Sequence, residues 1–487
     1  MEKYSAVIEK YSLNKHTWVK KGLHTVLHTM YPATINLLKP LNDYFGDSFR
    51  LFVFFVIDDY LHWYYNEQDM TRLREKVVDK IIHDSSFLLK LESDWRKREK
   101  LFLASCMKMD GSDFSSLSDS QLLSLYTEFY DAYVAEYALA MGLLESFSMQ
   151  ANTFLKPMLE ENAKISSDDY NMLISPVEQS FISFDYLGRL AIMKDMKKGK
   201  NTDKMIEEHA RKFHWVENNY AKVKNLDAAY FRQKITDEIN LGINPDDEIK
   251  KEKERSEHIK SEKKKLIKSL KLGEKAVSLI NAVEVFAKMQ DDRKKCVLIS
   301  NSYQKKFLHE IGKRSGFSDR EMDYTIFPEM ESVLQGRFDK DVLYRRMKAS
   351  LCIEKLDKAV VFDSDIALGV FKNAFEKDVP HNEIKGMCAS PGKARGTAKI
   401  ILKVHDLVSV DAGDIIVTSM TRPDMIVALK KAKGIITDEG GVTSHAAVIS
   451  REMGIPCIIG TKHATSIIKN GDLVELDADK GIARIVK

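Results

Sequence analysis

Two patterns of apolar residues divide the chain near residue 385. Before it, long segments place apolar side chains three and four residues apart, the spacing of an amphipathic helix. The clearest segment carries Leu122, Leu123, Leu125, Tyr126, Phe129, Tyr130, Tyr133 and Tyr137. After residue 385, apolar runs of strand length alternate with short helical patterns. The sequence therefore predicts a multidomain protein, with a mostly α-helical N-terminal region followed by a C-terminal α/β domain.

The C-terminal pattern can be divided into individual elements. Short apolar runs predict strands, and the pair Asn470-Gly471 predicts a tight turn before the last two of them. Apolar residues at helical spacing predict two helices. The predicted strands span residues 399–403, 415–418, 434–437, 457–460, 473–476 and 482–486, and the predicted helices span residues 423–432 and 445–453.

Glycine and proline support the same division. Eleven of the 23 glycines follow Lys385, although most of the chain precedes it. Pro380, Gly386 and the polar residues 381–383 interrupt both neighbouring patterns, as a linker does. We therefore expect three parts: a helical domain over residues 1–379, a hinge linker over 380–389 and the α/β domain over 390–487.

Residues 246–266 form a dense run of mixed charges. Opposite charges recur there at helical spacing, which favours a solvated helix or a mobile spacer. A binding patch is the alternative interpretation of the same run.

Composition narrows the classes of function. The chain has 75 Lys and Arg against 72 Asp and Glu, and this balance gives no argument for nucleic acid or an anionic membrane as a partner. Five scattered cysteines without a Cys-x-x-Cys pair favour reduced thiols over disulfides or a structural zinc site. The start of the sequence lacks a signal-peptide pattern, and the longest apolar run, Leu51–Ile57, is too short to span a bilayer. We expect a cytoplasmic protein that binds no metal itself.

One histidine stands where a glycine loop leads into a predicted helix. Thr443 or Ser444 can cap the helix whose first turn holds His445. Gly440 and Gly441 lack side chains, so a bulky phosphate donor could approach the backbone closely. The free N–H groups of a first helical turn face an anion, and the helix dipole keeps the imidazole neutral and nucleophilic. This junction suits a histidine that carries a phosphoryl group, and an ordinary buried histidine is the alternative.

Three separated blocks carry a resemblance to a known family. They span residues 386–396, 417–424 and 440–447, and they occur in the family's order. The region from about Lys385 to Lys487 resembles the swivelling phosphohistidine domain of phosphoenolpyruvate synthase, pyruvate phosphate dikinase and rifampicin phosphotransferase.

The resemblance implies a role for one residue. In that family, the histidine that matches His445 accepts a phosphoryl group and passes it to a second substrate. Gly440, Gly441, Thr443 and Ser444 match the motif as residues that shape the loop. Thr443 also matches a threonine whose phosphorylation regulates some dikinases, and helix capping explains it equally well.

The resemblance further implies ATP and Mg²⁺ as cofactors on an ATP-grasp module. Nothing before residue 385 resembles a Walker loop, a Rossmann fingerprint or the phosphate loop of an ATP-grasp domain. The sequence also stops directly after the swivelling domain, without the phosphoenolpyruvate-binding barrel of the dikinases. The remaining order resembles the last two-thirds of a rifampicin phosphotransferase. We therefore expect a separate ATP-grasp subunit to bind ATP and Mg²⁺, and this chain to bind a small-molecule acceptor.

Five residues of the helical region are candidates for the acceptor site. Asp58 and Asp59 precede an aromatic run, and a buried carboxylate there could act as a general base; a capping or salt-bridged pair at an aromatic helix is the alternative. His209 and Trp215 lie in a segment similar to a helix of the rifampicin phosphotransferase acceptor domain, although Trp215 also suits a core. Arg337, in a second segment of weak likeness, could bind phosphate or lie at the surface.

The resulting hypothesis is the acceptor-and-carrier subunit of a split dikinase-type phosphotransferase. His445 would carry a phosphoryl group from ATP to the acceptor. One alternative is an ATP-dependent ligase that activates a carboxylate by phosphorylation. The other is a non-catalytic phosphohistidine carrier or regulatory protein, against which the intact Gly-Gly-x-Thr-Ser-His string argues.

Overall fold

The computed structural model describes residues 3–31, 38–148, 151–161, 164–355, 358–376, 383–402, 404–421, 425–438, 444–461 and 464–486. The helices of the N-terminal region are α1 (Lys3–Tyr11), α2 (Leu27–Met30), α3 (Leu38–Phe45), α4 (Glu67–His83), α5 (Phe87–Met109), α6 (Asp119–Ser148), α7 (Ala151–Leu159), α8 (Ser167–Ile174), α9 (Phe181–Lys197), α10 (Asp203–Phe213), α11 (Ala228–Asn240), α12 (Pro245–Ser269), α13 (Glu274–Ser315), α14 (Asp319–Met322), α15 (Met330–Leu334), α16 (Asp341–Lys348) and α17 (Ser364–Val370). Its strands are β1 (Trp18–His24), β2 (Leu51–Ile57), β3 (Tyr60–Asn66), β4 (Ala349–Lys355) and β5 (Lys358–Asp363).

The N-terminal strands form one antiparallel sheet in the order β1-β3-β2-β4-β5. Both of its faces are covered. Trp63 and Tyr65 belong to the large core shared with the long helices α5, α6 and α13, whereas Tyr64 and Phe55 pack towards α1 and α17. The sheet is therefore the central layer of the N-terminal region, and β1 is one of its edges.

The mostly helical character of the N-terminal region agrees with the prediction, but the sequence pattern does not predict its sheet. The aromatic run after Asp59 is strand β3 and not a helix. A strand that is buried on both faces has no alternation of polar and apolar residues, so its period of two is hidden. The charge run 246–266 lies within α12, where Ile259 and Lys263 are buried and most other side chains are exposed or half-buried.

The C-terminal region is built on an eight-stranded sheet. Its strands are β6 (Glu383–Lys385), β7 (Met387–Ser390), β8 (Lys393–Ile400), β9 (Ile415–Thr418), β10 (Gly434–Thr437), β11 (Cys457–Ile459), β12 (Leu473–Asp477) and β13 (Ile482–Val486), and its helices are α18 (Ile426–Leu429), α19 (His445–Met453) and α20 (Ala464–Ile467). The order is β6-β13-β12-β8-β9-β10-β11-β7, with β8 to β11 parallel and the other pairs antiparallel.

The sheet curls until its two edges meet. β6 and β7 stand at opposite ends of the strand order, yet only Gly386 separates them along the chain. The Gly386 N–H donates to the carbonyl of Gly481 at 2.9 Å. A Cβ at Gly386 would lie 2.4 Å from Cγ2 of Ile458 and 2.7 Å from the carbonyl oxygen of Ile459. Only glycine fits where the edges join.

Several C-terminal elements have the predicted bounds. β9, β10, β13 and α19 agree with the prediction to the residue, and β11 and β12 differ from it by one residue at one end. The predicted strand over 399–403 is wrong, because β8 covers Lys393–Ile400. Its alternating burial places Lys393 and Arg395 at the surface, so the strand has no apolar run.

The predicted linker over 380–389 extends into ordered sheet. Glu383–Lys385 is strand β6, which pairs with β13, and Met387–Ser390 is strand β7, which pairs with β11. Residues 383–389, which the prediction assigns to the linker, therefore belong to the C-terminal sheet. Residues 380–382 of the predicted linker lie outside the described residues.

Two general properties complete the fold. All five cysteines are free thiols. Within the described ranges, none of the helices combines the length and apolar character needed to cross a bilayer.

Candidate functional site

Helix α19 begins at residue 445 and is capped as the sequence predicts. The Ser444 hydroxyl accepts a hydrogen bond from the Ala447 N–H at 3.4 Å, with Ser444 itself in extended backbone geometry. Gly454 ends the helix at a φ of 64°, in the left-handed region that favours glycine. The positive end of the α19 dipole therefore lies at the position of His445, where it stabilises an anion.

The position of residue 445 on α19 can be placed from the backbone. Ala446 and Ala447 are buried against the sheet, whereas Val448 and Glu452 are exposed. Residues three and seven apart share a helix face, so residue 445 lies on the face of Val448 and Glu452. The loop residues Gly440, Gly441 and Thr443 lie outside the described part of the chain.

Asp438 holds the start of the loop that leads to α19. It is 8% exposed, and its carboxylate accepts hydrogen bonds from the Thr461 hydroxyl at 3.1 Å, the Thr465 N–H at 3.2 Å and the Thr465 hydroxyl. Burial raises the pKa of Asp438, and the hydrogen bonds from Thr465 and Thr461 oppose that rise. These hydrogen bonds fix the Asp438 side chain at the carboxyl end of β10, the edge at which parallel sheets bind ligands.

A second contact holds α19 in place. The Arg451 guanidinium donates through Nε to the carbonyl of Ala389 at 2.8 Å, which ties α19 to β7. The pKa of Arg451 is lowered by desolvation, and the carboxylate of Asp168, at α8 of the N-terminal region, acts in the opposite direction.

Two further contacts link the two regions. Met387 packs against the large N-terminal core and also against the C-terminal core under α19. Lys20 of β1 is close enough to Asp438 to lower the pKa of that carboxyl, against the stronger effect of burial. The loop that leads to His445 therefore starts within electrostatic reach of strand β1.

The five predicted acceptor residues have separate structural surroundings. Asp58 and Asp59 form the β2–β3 turn, with φ values of 51° and 59°, as a type I′ hairpin turn requires. The Asp59 carboxylate accepts from Arg320 at 2.9 Å and from the Tyr324 hydroxyl. This surface ion pair matches the salt-bridged alternative, although on a hairpin and not on a helix.

The other three candidates also have structural partners. His209 is buried and bonds Asp185 at 2.9 Å, and Asp185 pairs with Arg189. The Trp215 indole donates to the carbonyl of Lys212 at 2.9 Å, and the Arg337 guanidinium donates to Gln335. Across the described ranges, no hydrogen bond or ion pair joins any two of the five candidates. Their role in acceptor binding stays a prediction.

The family comparison bears on the site around α19. The family model for the PEP-utilising enzyme mobile domain matches residues 410–481, which include Asp438, Ser444 and His445. The C-terminal region thus contains a match to the PEP-utilising enzyme mobile domain, and we call this region the mobile domain. The match includes β9 to β12 and the whole of α19.

Curated relatives share mainly this mobile domain. The chain is 53% identical over 109 residues to a probable phosphoenolpyruvate synthase of Methanothermobacter thermautotrophicus, over 22% of this chain and 16% of the relative. It is 52% identical over 99 residues to that of Archaeoglobus fulgidus, over 20% and 13%. Identity to the rifampicin phosphotransferase of Bacillus cereus is 30% over 166 residues, 34% of this chain and 19% of the relative. The chain therefore spans less than a fifth of the length of each.

Sequence reasoning missed Asp438 as part of the site. It lies two residues before the 440–447 block, between β10 and the glycine pair, but the sequence cannot show that Thr461 and Thr465 donate hydrogen bonds to it. A polar residue that follows a buried strand at the carboxyl edge of a parallel sheet is the signal that could have identified it.

Proposed function

We propose that this chain carries a phosphoryl group on His445 and transfers it to a small-molecule acceptor bound by the N-terminal region. The single observation that carries the proposal is the capped start of α19 at residue 445, within a domain of the PEP-utilising family. The Ser444 cap and the dipole of α19 favour a phosphoryl group at this position.

The transfer is a displacement at phosphorus. The bond between phosphorus and the imidazole nitrogen of His445 breaks, and a bond from phosphorus to an acceptor oxygen forms. The imidazole nitrogen keeps the electron pair and takes up one proton, which balances the proton that the acceptor hydroxyl releases. No oxidant or reductant is involved.

We further propose that the phosphoryl group comes from ATP on a separate ATP-grasp subunit, with Mg²⁺ at the ATP site. ATP and one water would give AMP, inorganic phosphate and the phosphoryl group on His445: the imidazole nitrogen bonds to the β-phosphorus as the bond to AMP breaks, and the water takes the γ-phosphoryl group. The isolated chain should then neither bind Mg-ATP at micromolar concentrations nor hydrolyse it. Calorimetry that detected tight Mg-ATP binding to this chain alone would contradict the split arrangement.

The test of the carrier role uses ATP labelled on the β-phosphate, together with a separately purified ATP-grasp protein. We expect an acid-labile and base-stable phosphoprotein, and complete loss of label in His445→Ala with an unchanged circular dichroism spectrum. His405→Ala is the matched control and should label normally. Normal labelling of His445→Ala would remove the assignment.

A further inference from the structure

The exposed apolar side chains of the mobile domain belong to two segments. Among its described residues, the large apolar side chains that face solvent are Val408, 88% exposed, and Val448, 41% exposed. Val408 lies in a short 3-10 helix over Val404–Ser409, and Val448 lies one turn into α19. A single exposed valine is ordinary on a protein surface, so the location of these two residues decides their meaning.

Both valines lie near the edge of the sheet that bears His445. The segment with Val408 follows the carboxyl end of β8, and α19 with Val448 follows the carboxyl end of β10. β8, β9 and β10 are parallel neighbours, so these two carboxyl ends lie about 10 Å apart. Leu407, next to Val408, packs against the core beneath the first turn of α19. The two exposed valines therefore stand at the same edge as residue 445.

One face of α19 combines the histidine with an apolar and an acidic residue. Val448 is three residues beyond His445 and Glu452 is seven, so the three positions share a helix face about 10 Å long. Glu452 is exposed, and within the described ranges no residue forms an ion pair with its carboxylate. We call the surface formed by Val408, Val448 and Glu452 the carrier face. It offers two apolar side chains and one uncompensated negative charge beside the histidine.

The N-terminal region leaves the carrier face open. Met387 of the mobile domain packs against the large N-terminal core, so the two regions are in contact in this structure. Val408, Val448 and Glu452 nevertheless stay exposed in this arrangement. The contact between the two regions therefore leaves the carrier face free for a different molecule.

The charge of the carrier face fits a subunit that binds ATP. A site that holds the phosphate groups of ATP is surrounded by cations, and the Glu452 carboxylate is complementary to positive charge at the rim of such a site. Two copies of this chain that paired through the carrier face would bring together two carboxylates and no cation. The proposed reaction also brings the β-phosphorus of ATP to the His445 imidazole, so the donor subunit must approach the side of α19 that bears His445.

We propose that Val408, Val448 and Glu452 dock this chain onto the ATP-grasp subunit, and that the subunit offers an apolar patch bordered by a cation. This inference rests on the proposed role of His445. Burial of the two valines supplies affinity, and Glu452 orients the encounter and accelerates association. The three side chains contact the partner and not the reacting atoms, so they act on binding and not on the chemical step.

The test measures binding of the full chain to the separately purified ATP-grasp protein by calorimetry. The double variant Val408→Ser/Val448→Ser should bind at least about tenfold more weakly than the unchanged chain. Both side chains are exposed, so the double variant should keep its circular dichroism spectrum. Val360→Ser is the matched control: it removes a valine of similar exposure, 37%, from β5 of the N-terminal region and should bind normally.

Labelling rates separate docking from chemistry. In the double valine variant, the KM for this chain as substrate of the ATP-grasp protein should rise by the same factor as the dissociation constant, while kcat changes by less than about twofold. Glu452→Gln should slow association at low salt, and the difference should vanish at high salt. Glu207→Gln removes an exposed charge from α10 and should associate at the rate of the unchanged chain.

Failure of the carrier face and failure of the carrier role give different results. Equal affinity of the double valine variant and the unchanged chain overturns the docking surface, as does a lack of binding by the unchanged chain. Sedimentation equilibrium that showed a dimer of the chain alone, lost in the double variant, would assign the surface to a second copy instead. His445→Ala should still bind the ATP-grasp protein. Binding without any labelling of the unchanged chain would contradict the carrier role and retain the docking surface.

Discussion

The two regions of the molecule are built from different side chains. The chain has 4 Trp, 18 Tyr and 23 Phe, and the last of them is Phe375. The N-terminal core packs ring against ring, for example Tyr130 on Phe327 with centroids 3.8 Å apart. The two C-terminal cores contain only aliphatic side chains, alanine, methionine and cysteine.

This difference agrees with the proposed roles of the two regions, acceptor binding in the N-terminal region and phosphoryl carriage in the C-terminal region. Large rings and buried charges give the N-terminal region a specific interior with polar surfaces that can recognise a ligand. The C-terminal region is a small domain with short side chains and a thin core, in which a single misplaced atom has a large effect. All tryptophan fluorescence reports on the N-terminal region alone.

The largest effect is expected when the N-terminal and C-terminal regions are covalently cross-linked, so that the C-terminal region can no longer move. Cysteines at positions 168 and 451, whose side chains interact electrostatically, can be cross-linked by a short bifunctional thiol reagent. If the carrier must move between two sites, we expect a single turnover at most and no rephosphorylation of His445. The measurement is turnover with the ATP-grasp partner. A chain with only one new cysteine is the control, and undiminished turnover after cross-linking would show that the mobile domain need not move.

A methyl group added at Gly386, where the two edges of the C-terminal sheet meet, tests how strongly the stability of this region depends on close packing. Gly386→Ala places Cβ against the carbonyl of Ile459, and we expect a loss of about 3 kcal/mol because backbone cannot yield cheaply. Gly273→Ala, where a Cβ meets nothing within 4 Å, should change stability by less than about 0.5 kcal/mol. Hydrogen exchange of residues 383–486 should accelerate in Gly386→Ala, while the tryptophan fluorescence melt stays unchanged. A shifted fluorescence melt would mean that the regions unfold as one unit.

A buried carboxyl tests the N-terminal interior. Glu136 is fully buried, its Oε1 accepts from the Trp95 indole at 3.0 Å, and burial raises its pKa to about 8. The unfolded chain ionises Glu136 near pH 4.5 while the folded chain keeps the proton, so stability falls as pH rises from about 4.5 to 8.

Glu136→Gln removes that dependence and retains the acceptor for Trp95. We expect it to stabilise the chain by about 2 kcal/mol at pH 8 and to have little effect at pH 4.5. Denaturant melts followed by tryptophan fluorescence at the two pH values measure this difference. A gain of equal size at both values would show that the proton is not its cause.

The smallest expected effect is the loss of a serine N-cap, which can be compared between a helix of each region. Ser444 caps α19 by accepting from Ala447 N at 3.4 Å, and Ser166 caps α8 by accepting from Asp169 N at 3.1 Å. Alanine at either position should cost about 1 kcal/mol. If the start of α19 binds the phosphoryl group as proposed, only Ser444→Ala should also slow the labelling of His445, because it loosens that helix start. Equal labelling rates in the two variants would limit Ser444 to a structural role.

The sequence predicts the elements of the C-terminal region better than those of the N-terminal region. The bounds of β9, β10 and α19 are readable because apolar runs there are short and are separated by glycine, proline and capping residues. β2, β3 and β4 are not readable as a sheet, because both faces are buried and the β4 strand lies about three hundred residues from its partner β2. Long-range pairing leaves no local signal.

The candidate site shows the same limit. The sequence predicts His445 and Ser444 together because they stand in one short block. Asp438 lies just before that block, but its hydrogen bonds come from Thr461 and Thr465, more than twenty positions away. The carrier face joins Val408 and Val448, which come from two separate segments. A surface of that kind can be found only when the fold has brought its members together.

The meeting of the two sheet edges at Gly386 bears on how this domain can be combined with other domains. β6, the first strand of the mobile domain, pairs with β13, the last, so the domain is entered and left on adjacent strands. A unit whose two ends lie side by side can be spliced into a loop, moved along a gene or circularly permuted without disturbing its interior. Recombination could therefore join this domain, as one unit, to different N-terminal regions.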